Sequence, residues 1–355
     1  MIQLLIAATV AFTFTLAATP VAIRFLRERS IGQFIQEDVQ GHMHKKGTPT
    51  MGGVVILLGA VLGYGAAHFR LFSLGSGFDL TFHPFAPEGL LAVFAFIGMG
   101  FIGFLDDYEK HAAKHNQGLS KRWKFLGQLV VAGIFAWAAQ MFGASTELSF
   151  VRPLGIDIGP VLYFLLVLLM LTAAANAVNL TDGLDGLVAG SSALVFGAYV
   201  LIAFWQFRNI AFYGVDPNGA LDLGRFAAAL VGAVLAFLWW NAAPAQIFMG
   251  DTGSQAVGGA LAALALLTNT QLLLIILGGL YVMETLSVIG QVFAFRVFGK
   301  RIFRMAPFHH HYELKGWPET VVIIRLWIIA GILVALGIGI FYADFVASSA
   351  TGAGL

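Results

Sequence analysis

The stretch AVNLTDGLDGLVAG, residues 177–190, places three polar side chains between two uninterrupted apolar runs. Asn179, Asp182 and Asp185 follow one another at intervals of three, which on a helix puts them on one face. An ionised carboxylate in apolar surroundings is costly unless it binds a cation or a hydrogen-bonding partner. Capping of the following helix by Thr181 or Asp182 is the alternative. Because capping accounts for only one aspartate, the pair indicates a function.

Two further stretches end a long apolar segment with aspartate, namely LDDYEK at 105–110 and NAAPAQIFMGDTGS at 241–254. Asp251 is either a helix N-cap or a magnesium ligand. Magnesium prefers a few carboxylates together with water and substrate phosphates, which suits isolated aspartates on separate segments. The three stretches therefore predict a metal and phosphate site at one membrane face.

The adjacent residues Asp106 and Asp107 are expected to have different roles. On a helix their side chains diverge by about 100°. One would face the cleft as a base or ligand, and the other would contact Lys110 or orient its neighbour. Carboxylates at a hydrated helix end are the alternative.

The stretch HKKGTPTMGG at 44–53 combines Lys45, Lys46 and the hydroxyls of Thr48 and Thr50 with glycines at the start of an apolar span. Backbone amides at a helix N-terminus, hydroxyls and lysine charge together suit a phosphate. A basic flank followed by a turn is the alternative interpretation.

Single polar or aromatic residues near the predicted site have two interpretations each. Phe248 either stacks on a nucleobase or anchors the chain at the membrane interface. Glu284 and Gln291 lie two turns apart on one face of a predicted span. Glu284 has either a buried structural role or a functional one.

MAPFHHHYELKGWPE at 305–319 places His309, His310 and His311 in a predicted loop close to arginines and lysines. Three consecutive histidines do not point the same way, which argues against a three-histidine zinc site. Hydrogen bonding to phosphate fits these residues better, and a solvated interfacial loop is the alternative.

The composition places these residues in a polytopic membrane protein. The 355-residue chain is 59% hydrophobic and 11% charged, with a mean hydropathy of +0.83. It has no cysteine, which excludes disulfides and thiolate metal sites, and its net charge of +1 gives no argument for a nucleic-acid partner. No polar linker divides it, so we expect one integral membrane domain over 1–355.

Apolar runs predict ten transmembrane helices, each of a length suited to the bilayer. They lie at 1–23, 51–69, 89–105, 125–144, 158–178, 187–206, 225–241, 253–268, 271–295 and 321–343. The first lacks a basic leader and a cleavage site and is expected to be retained. The eighth and ninth are separated only by TNTQ at 268–271.

The loops between these spans differ in charge. With Arg325 set aside inside the last span, fifteen lysines and arginines fall on one side and four on the other. The positive-inside rule predicts that the first side is cytoplasmic and that both termini lie outside. The aspartate stretches and FHHHYE all fall on this predicted cytoplasmic side.

Six strings, in this order along the chain, resemble the polyprenyl-phosphate N-acetylhexosamine-1-phosphate transferase superfamily. They are KKGTPTMGG, FLDDYEK, NAVNLTDGLDGL, NAAPAQIFMGDTGS, METLSVIGQV and PFHHHYE, spread over residues 44–313. GTPTMGG and FHHHYE resemble the branch that transfers phospho-N-acetylmuramoyl-pentapeptide to a lipid carrier in peptidoglycan synthesis.

The resemblance implies an all-α membrane enzyme with ten spans in the bacterial inner membrane, a cytoplasmic active site, dependence on Mg²⁺ and a homodimer. Its implied substrates are UDP-MurNAc-pentapeptide and undecaprenyl phosphate. The implied catalytic residues are Asp106, Asp107, Asp182 and His310, with Asp106 as the base toward the lipid phosphate and Asp251 as the magnesium ligand. The implied substrate-binding residues are Lys45, Thr50, Asn179, Asp185, Asn241, Phe248, Gly250, Gln291, His309 and His311.

Two other functions are compatible with parts of the pattern. The same chemistry with UDP-GlcNAc as donor would make a GlcNAc-1-phosphate transferase. An ion-coupled transporter would also carry acids inside the membrane. Against a transporter, the polar residues collect at one face and no inverted repeat is visible.

Overall fold

Long apolar helices make up most of the computed structural model, which describes residues 1–29, 31–32, 47–73, 77–112 and 118–350. Lys45 lies outside the described residues. The helices are α1 Ile2–Glu28, α2 Gly53–Ala66, α3 Pro87–Ala112, α4 Lys121–Met141, α5 Gly159–Thr181, α6 Leu187–Arg208, α7 Ile210–Tyr213, α8 Pro217–Asn241, α9 Gly250–Leu267, α10 Leu274–Leu277, α11 Gly279–Phe298, α12 Phe308–Glu313 and α13 Glu319–Ala350.

The predicted class, an all-α polytopic membrane protein, is confirmed. Eight helices of the described chain are long and apolar enough to cross a membrane: α1, α3, α4, α5, α6, α8, α11 and α13. The other two predicted spans coincide with α2, which has 14 residues, and with α9, which has 18. The total of ten spans and the outside location of the termini stay predictions.

The chain breaks at TNTQ, as predicted, because α9 ends at Leu267 and the next helix begins at Leu274. The prediction of one continuous span over 271–295 was wrong. A non-helical Gly278 divides this segment into α10 and α11. Glycine has the weakest helix propensity after proline, which favours a break at this position.

Two β-hairpins occupy segments predicted as loops. They pair β1 Phe69–Ser73 with β2 Gly77–Phe82 and β3 Glu147–Ser149 with β4 Pro153–Asp157, both antiparallel. Strands this short carry little alternation of polar and apolar residues, which is why they were not predicted. Ser149 also bonds to the linker before α10, since its backbone N–H donates to the side-chain Oε1 of Gln271 at 2.8 Å and its carbonyl accepts from the backbone N–H of Leu272.

Helix α9 forms the centre of the bundle, with fifteen of its eighteen residues buried. Small residues let its neighbours approach closely, as is common between membrane helices. A Cβ added at Gly53 of α2 would overlap the backbone nitrogen of Gly253, and one added at Gly103 of α3 would overlap the backbone carbonyl of Asp251. These contacts hold α2 and α3 directly against the polar end of α9.

A buried polar network ties the helices together where α2 ends and α3 begins. The carboxylate of Asp222 accepts a hydrogen bond from Tyr64 Oη at 2.6 Å and lies 2.9 Å from His68 Nε2 and 3.0 Å from Arg225 Nη1. It also accepts from the backbone N–H of Ala86 at 2.9 Å. Because a buried charge needs partners on every side, this network explains how Asp222 is accommodated inside α8.

Candidate functional site

Three aspartates from two helices form an acidic cluster. Asp106 and Asp107 lie in the last turns of α3, and Asp251 lies in the first turn of α9. Each contributes one carboxylate oxygen to a group whose members all lie within 4.8 Å of one another. Asp106 and Asp107 are buried, so their charges need compensation from nearby groups.

Two lysines supply this compensation. Lys110 Nζ lies 2.6 Å from Asp106 Oδ2, 3.0 Å from Asp251 Oδ2 and 3.9 Å from Asp107 Oδ1. Lys124 Nζ lies 2.5 Å from Asp251 Oδ2 and 3.7 Å from Asp106 Oδ2. The expectation that one member of the aspartate pair contacts Lys110 therefore fits Asp106. Sequence reasoning missed Lys124, whose only signal was its place in the first turn of the apolar helix after LDDYEK.

Asp107 has a different task, because its carboxylate caps the N-terminus of α9. Its Oδ1 accepts from the backbone N–H of Asp251 at 3.1 Å. Its Oδ2 accepts from the backbone N–H of Thr252 at 2.9 Å and from the Thr252 hydroxyl at 2.7 Å. The first amides of a helix have no partners within the helix, so a carboxylate from another helix satisfies them and favours the start of α9 at this place.

Asn179 holds the other side of Asp251. From the end of α5, its amide nitrogen donates to Asp251 Oδ1 at 2.8 Å and to Ser254 Oγ at 2.9 Å. Asp251 is thus fixed by an amide on one oxygen and by two ammonium groups on the other.

Asp182 follows α5 directly and is partly buried. Burial, together with the negative charges of Asp251, Asp107 and Asp185, raises the pKa of Asp182 to about 8. The capping alternative was wrong, because α6 begins after Gly186 without a side-chain cap. The protonation of Asp182 therefore depends on the charge of the acidic cluster.

The segment between α8 and α9 is held by side chains that were predicted to bind the substrate. Asp185 Oδ2 accepts from the backbone N–H of Ala245 at 2.9 Å. Asn241 donates to the carbonyl of Ile247 at 2.8 Å. The neighbouring residue Phe248 is only half-buried, and its backbone pairs with Pro49 and with Gly52. Asn241 and Phe248 thus belong to the chain leading to Asp251, and Asp185 contacts it from the loop between α5 and α6.

Gly250 adopts a φ of +72°, a conformation that favours glycine, immediately before Asp251. A Cβ at this position would lie 2.7 Å from Asp107 Oδ2 and 3.0 Å from Thr50 Oγ1. Gly250 and Thr50 therefore border the acidic cluster, and their role in substrate binding stays a prediction.

The three histidines lie on the short helix α12 and not in a loop, so that part of the prediction was wrong. The fully buried His309 directs Nδ1 to Glu284 Oε2 at 3.3 Å, and its backbone N–H donates to the same oxygen. His310 Nδ1 lies 2.6 Å from Glu313 Oε2. Because the helical turn gives each ring its own direction, the residues do not form a zinc site together.

His309 and His310 lie beside the aspartate loop, since a Cβ at Gly183 would be 3.3 Å from His310 Nε2 and even closer to His309 Nε2. His311 points elsewhere, and its Nδ1 accepts from the backbone N–H of Arg304 at 3.0 Å. Desolvation and the positive charges of Lys315 and Arg304 lower the pKa of His311.

Gln291 organises the segment after α11. Its Oε1 accepts from the backbone N–H groups of Ile302 and Phe303, and its Nε2 donates to the carbonyl of Phe303. Its implied role in substrate binding stays a prediction.

Comparison with known proteins agrees with this geometry. The family model described as glycosyl transferase family 4 matches residues 90–269, which include the acidic cluster, and the phospho-N-acetylmuramoyl-pentapeptide-transferase signature 1 matches residues 45–57. The chain is 49% identical to the phospho-N-acetylmuramoyl-pentapeptide-transferase of Frankia alni, over 96% of this chain and 97% of the relative. The chain belongs to the phospho-N-acetylmuramoyl-pentapeptide-transferase family. A relative with the same description from Streptomyces griseus is 48% identical over 97% of this chain and 99% of its own length. Another from Clavibacter sepedonicus is 45% identical over 98% of this chain and 100% of its own length.

The acidic cluster has the donors that a hard divalent cation requires. Three carboxylates converge, and carboxylate oxygen is the ligand that Mg²⁺ prefers. Lys110 and Lys124 neutralise part of the negative charge of these carboxylates, as a bound cation would also do. The residues therefore fit a divalent metal ion, with Asp251 at the centre of the contacts.

Proposed function

We propose that the chain transfers phospho-N-acetylmuramoyl-pentapeptide from UDP-MurNAc-pentapeptide to undecaprenyl phosphate, which gives lipid I and UMP. The observation that carries this proposal is the convergence of Asp106, Asp107 and Asp251 with two lysines at the end of apolar helices. A reaction between a nucleotide sugar and a lipid phosphate needs such charge at the membrane boundary. The family relationship favours this donor over UDP-GlcNAc.

The proposed reaction is a direct displacement at phosphorus. An oxygen of the lipid phosphate attacks the β-phosphorus of the donor, a new P–O bond forms, and the bond to the bridging oxygen of UMP breaks. Phosphoryl transfer requires mainly positioning and charge neutralisation from a protein. Lys110 and Lys124 are placed to turn from the carboxylates to phosphate oxygens when the substrates bind.

Within the aspartate pair, Asp106 is the residue we assign to the lipid phosphate. Asp107 uses both oxygens to cap α9, whereas Asp106 contacts the ammonium groups of Lys110 and Lys124 among the described residues. Asp106 is therefore able to accept a proton or to align the attacking group without breaking the helix cap.

Mg²⁺ is the metal that we propose for this site, held by Asp251 with Asp106 or Asp107. When bound, it would neutralise charge that develops on the pyrophosphate during the reaction. Asn179 would keep Asp251 in place through its hydrogen bond to Oδ1.

The remaining predicted residues are assigned to the substrates by their positions. Asn241 and Phe248 lie on the chain just before Asp251, and Asp185 of the α5–α6 loop accepts a hydrogen bond from Ala245 of the same segment; we assign all three to the uridine end of the donor. His309 and His310 border the aspartate loop and are placed for the sugar and phosphate. Gln291 and His311 contact the segment around 302–304; we assign Gln291 to the uridine pocket and His311 to the donor.

We further propose that the protein acts as a homodimer in the bacterial inner membrane, with this site facing the cytoplasm. The charge difference between loops supports the orientation. Native mass spectrometry of the purified protein would test the dimer, and labelling of single cysteines introduced at Arg122 and Arg208 would test which loops face the cytoplasm.

The proposed activity is tested by release of UMP from UDP-MurNAc-pentapeptide with and without undecaprenyl phosphate. We expect release only with the lipid acceptor, and only with a divalent cation. Full release without the acceptor, with trapped label on an aspartate, would replace direct displacement by a covalent route. Equal turnover of UDP-GlcNAc would favour the other transferase, and solute movement without UMP release would favour a transporter.

The variant Asp251→Ala separates the metal site from the fold. We expect loss of cation-dependent turnover with an unchanged elution profile and helix content. Near-normal turnover of this variant at low Mg²⁺ would overturn the metal assignment.

A further inference from the structure

Arg325 lies in an apolar and outward-facing part of α13. It is the seventh residue of this helix and is exposed. The same face exposes Ile324, Ile328 and Ile332 to 53%, 56% and 62%. A stripe of exposed isoleucines on a membrane helix is a surface for lipid chains. Arg325 is therefore a cation at the edge of a lipid-facing surface.

Aromatic rings fix the direction of its side chain. The guanidinium carbon of Arg325 lies 4.1 Å from the centre of the Trp317 ring. Trp317 stacks on Tyr312 with 4.3 Å between ring centres and an angle of 30°. Lys315 Nζ lies 5.4 Å from the centre of the Tyr312 ring. Two cations thus flank a stack of two aromatic rings.

The stacked rings of Trp317 and Tyr312 hold the guanidinium of Arg325 at the membrane–water interface. Side chains on a helix tilt toward its N-terminus, and Trp317 precedes α13 in the chain. Long basic side chains near the end of a membrane helix extend toward the interface in this way, and tryptophan and tyrosine are typical of the same level. Arg325 therefore reaches the depth of the lipid headgroups.

No carboxylate within the described part of the chain makes an ion pair with Arg325. An arginine next to hydrocarbon needs an anion, and phosphate is the anion that lipids offer at this depth. The planar guanidinium matches phosphate oxygens with two parallel donors.

We propose that Arg325 binds the phosphate of an anionic phospholipid. Trp317, which stacks on Tyr312, holds the guanidinium in place, while the isoleucine stripe of α13 lies along the acyl chain. Tyr312 also belongs to α12, so an occupied site would steady the helix that carries the histidines.

Native mass spectrometry of the full chain in a zwitterionic detergent tests the proposal, with phosphatidylglycerol and phosphatidylcholine added in turn. We expect Arg325→Gln to weaken phosphatidylglycerol binding by about fivefold, the contribution of one basic residue near a charged headgroup. Binding of phosphatidylcholine should not change. Arg208→Gln is the matched control, because Arg208 is also exposed, at the last residue of α6.

Three results would overturn the proposal. The first is equal phosphatidylglycerol binding by Arg325→Gln and Arg208→Gln. The second is displacement of phosphatidylglycerol by inorganic phosphate at the same concentration, because the acyl chains would then contribute nothing. The third is a raised KM for undecaprenyl phosphate in Arg325→Gln with unchanged phosphatidylglycerol binding, which would assign the cation to the substrate.

Two controls separate this proposal from misfolding and from the proposed activity. Thermal unfolding in the lipid-free detergent should be the same for Arg325→Gln and Arg208→Gln. Arg325→Lys should keep part of the phosphatidylglycerol binding, since the charge remains and the paired donors are lost. Lipid binding is measured without donor or acceptor, so its outcome does not depend on the transferase reaction.

Discussion

Asp107 and Asp106 are neighbours in one acidic cluster, yet the structure predicts that their amide variants differ in stability. Asp107→Asn replaces one acceptor oxygen by an NH₂ group. Whichever way the amide turns, this NH₂ group faces either the backbone N–H of Asp251 or the donors of Thr252. One charge-assisted hydrogen bond at the start of α9 is therefore lost, and a buried donor is left without a partner.

The size of this effect follows from the hydrogen bond. Loss of a bond to a charged group costs about 1.5–3 kcal/mol. Unfolding entropy scales with chain length, so for 355 residues this loss corresponds to a decrease of about 2–4 °C in Tm. Asp106→Asn should show no decrease, because its described partners are lysine ammonium groups and removal of one of three like charges relieves repulsion.

Both variants should lose turnover, since both carboxylates belong to the cluster. The assay is thermal unfolding in metal-free detergent, followed by intrinsic fluorescence, together with UMP release at saturating substrate. Equal unfolding temperatures for Asp106→Asn and Asp107→Asn would refute the assignment of Asp107 as the cap of α9.

Three other changes test separate parts of the structure. Because the pKa of Asp182 is raised to about 8 by burial and by the charges of Asp251, Asp107 and Asp185, its negative charge develops as the pH rises through 8. Mn²⁺ affinity, measured by titration calorimetry, should therefore rise over this pH range, and Asp182→Asn should remove the rise; the same pH profile in the variant would show that Asp182 is not coupled to the cation. Gly103→Ala drives a Cβ into the backbone of α9 and should lower the free energy of unfolding by about 1–3 kcal/mol. The control Gly197→Ala, whose Cβ would have no atom within 4 Å, should not destabilise α6, and an equal loss of stability in both variants would contradict the close contact. Glu284→Ala leaves the fully buried His309 without the carboxylate that accepts its backbone N–H, so hydrogen exchange in α12 should accelerate and turnover should fall. Glu284→Gln should lose less turnover, and unchanged hydrogen exchange in Glu284→Ala would show that Glu284 does not position α12.

The sequence predicts the helices and the chemical character of the site because both depend on local pattern. Apolar runs of bilayer length mark the helices, and aspartates at their ends stand out as costly. The sequence places Asp106, Asp107 and Asp251 at the same end of the helix bundle, so their meeting could be predicted. The divergence of the adjacent pair follows from helical geometry alone.

What the sequence does not predict depends on contacts between distant segments. Lys124 looks like any basic residue at a helix end until α4 is packed against α3 and α9. The buried pair of Glu284 and His309 joins residues twenty-five positions apart on different helices. Asp222 carries no signal at all, because its partners come from three separate parts of the chain.

The close approach of glycines to α9 limits how the bundle is able to move. A shift of α9 by even one residue, about 1.5 Å along its axis, would drive its backbone into α2 and α3, which contact it without intervening side chains. The end of α9 that carries Asp251 therefore serves as a stationary reference within the bundle. Any rearrangement that admits a soluble nucleotide and a long-chain lipid would then fall to helices less buried than α9, such as α11 and α13.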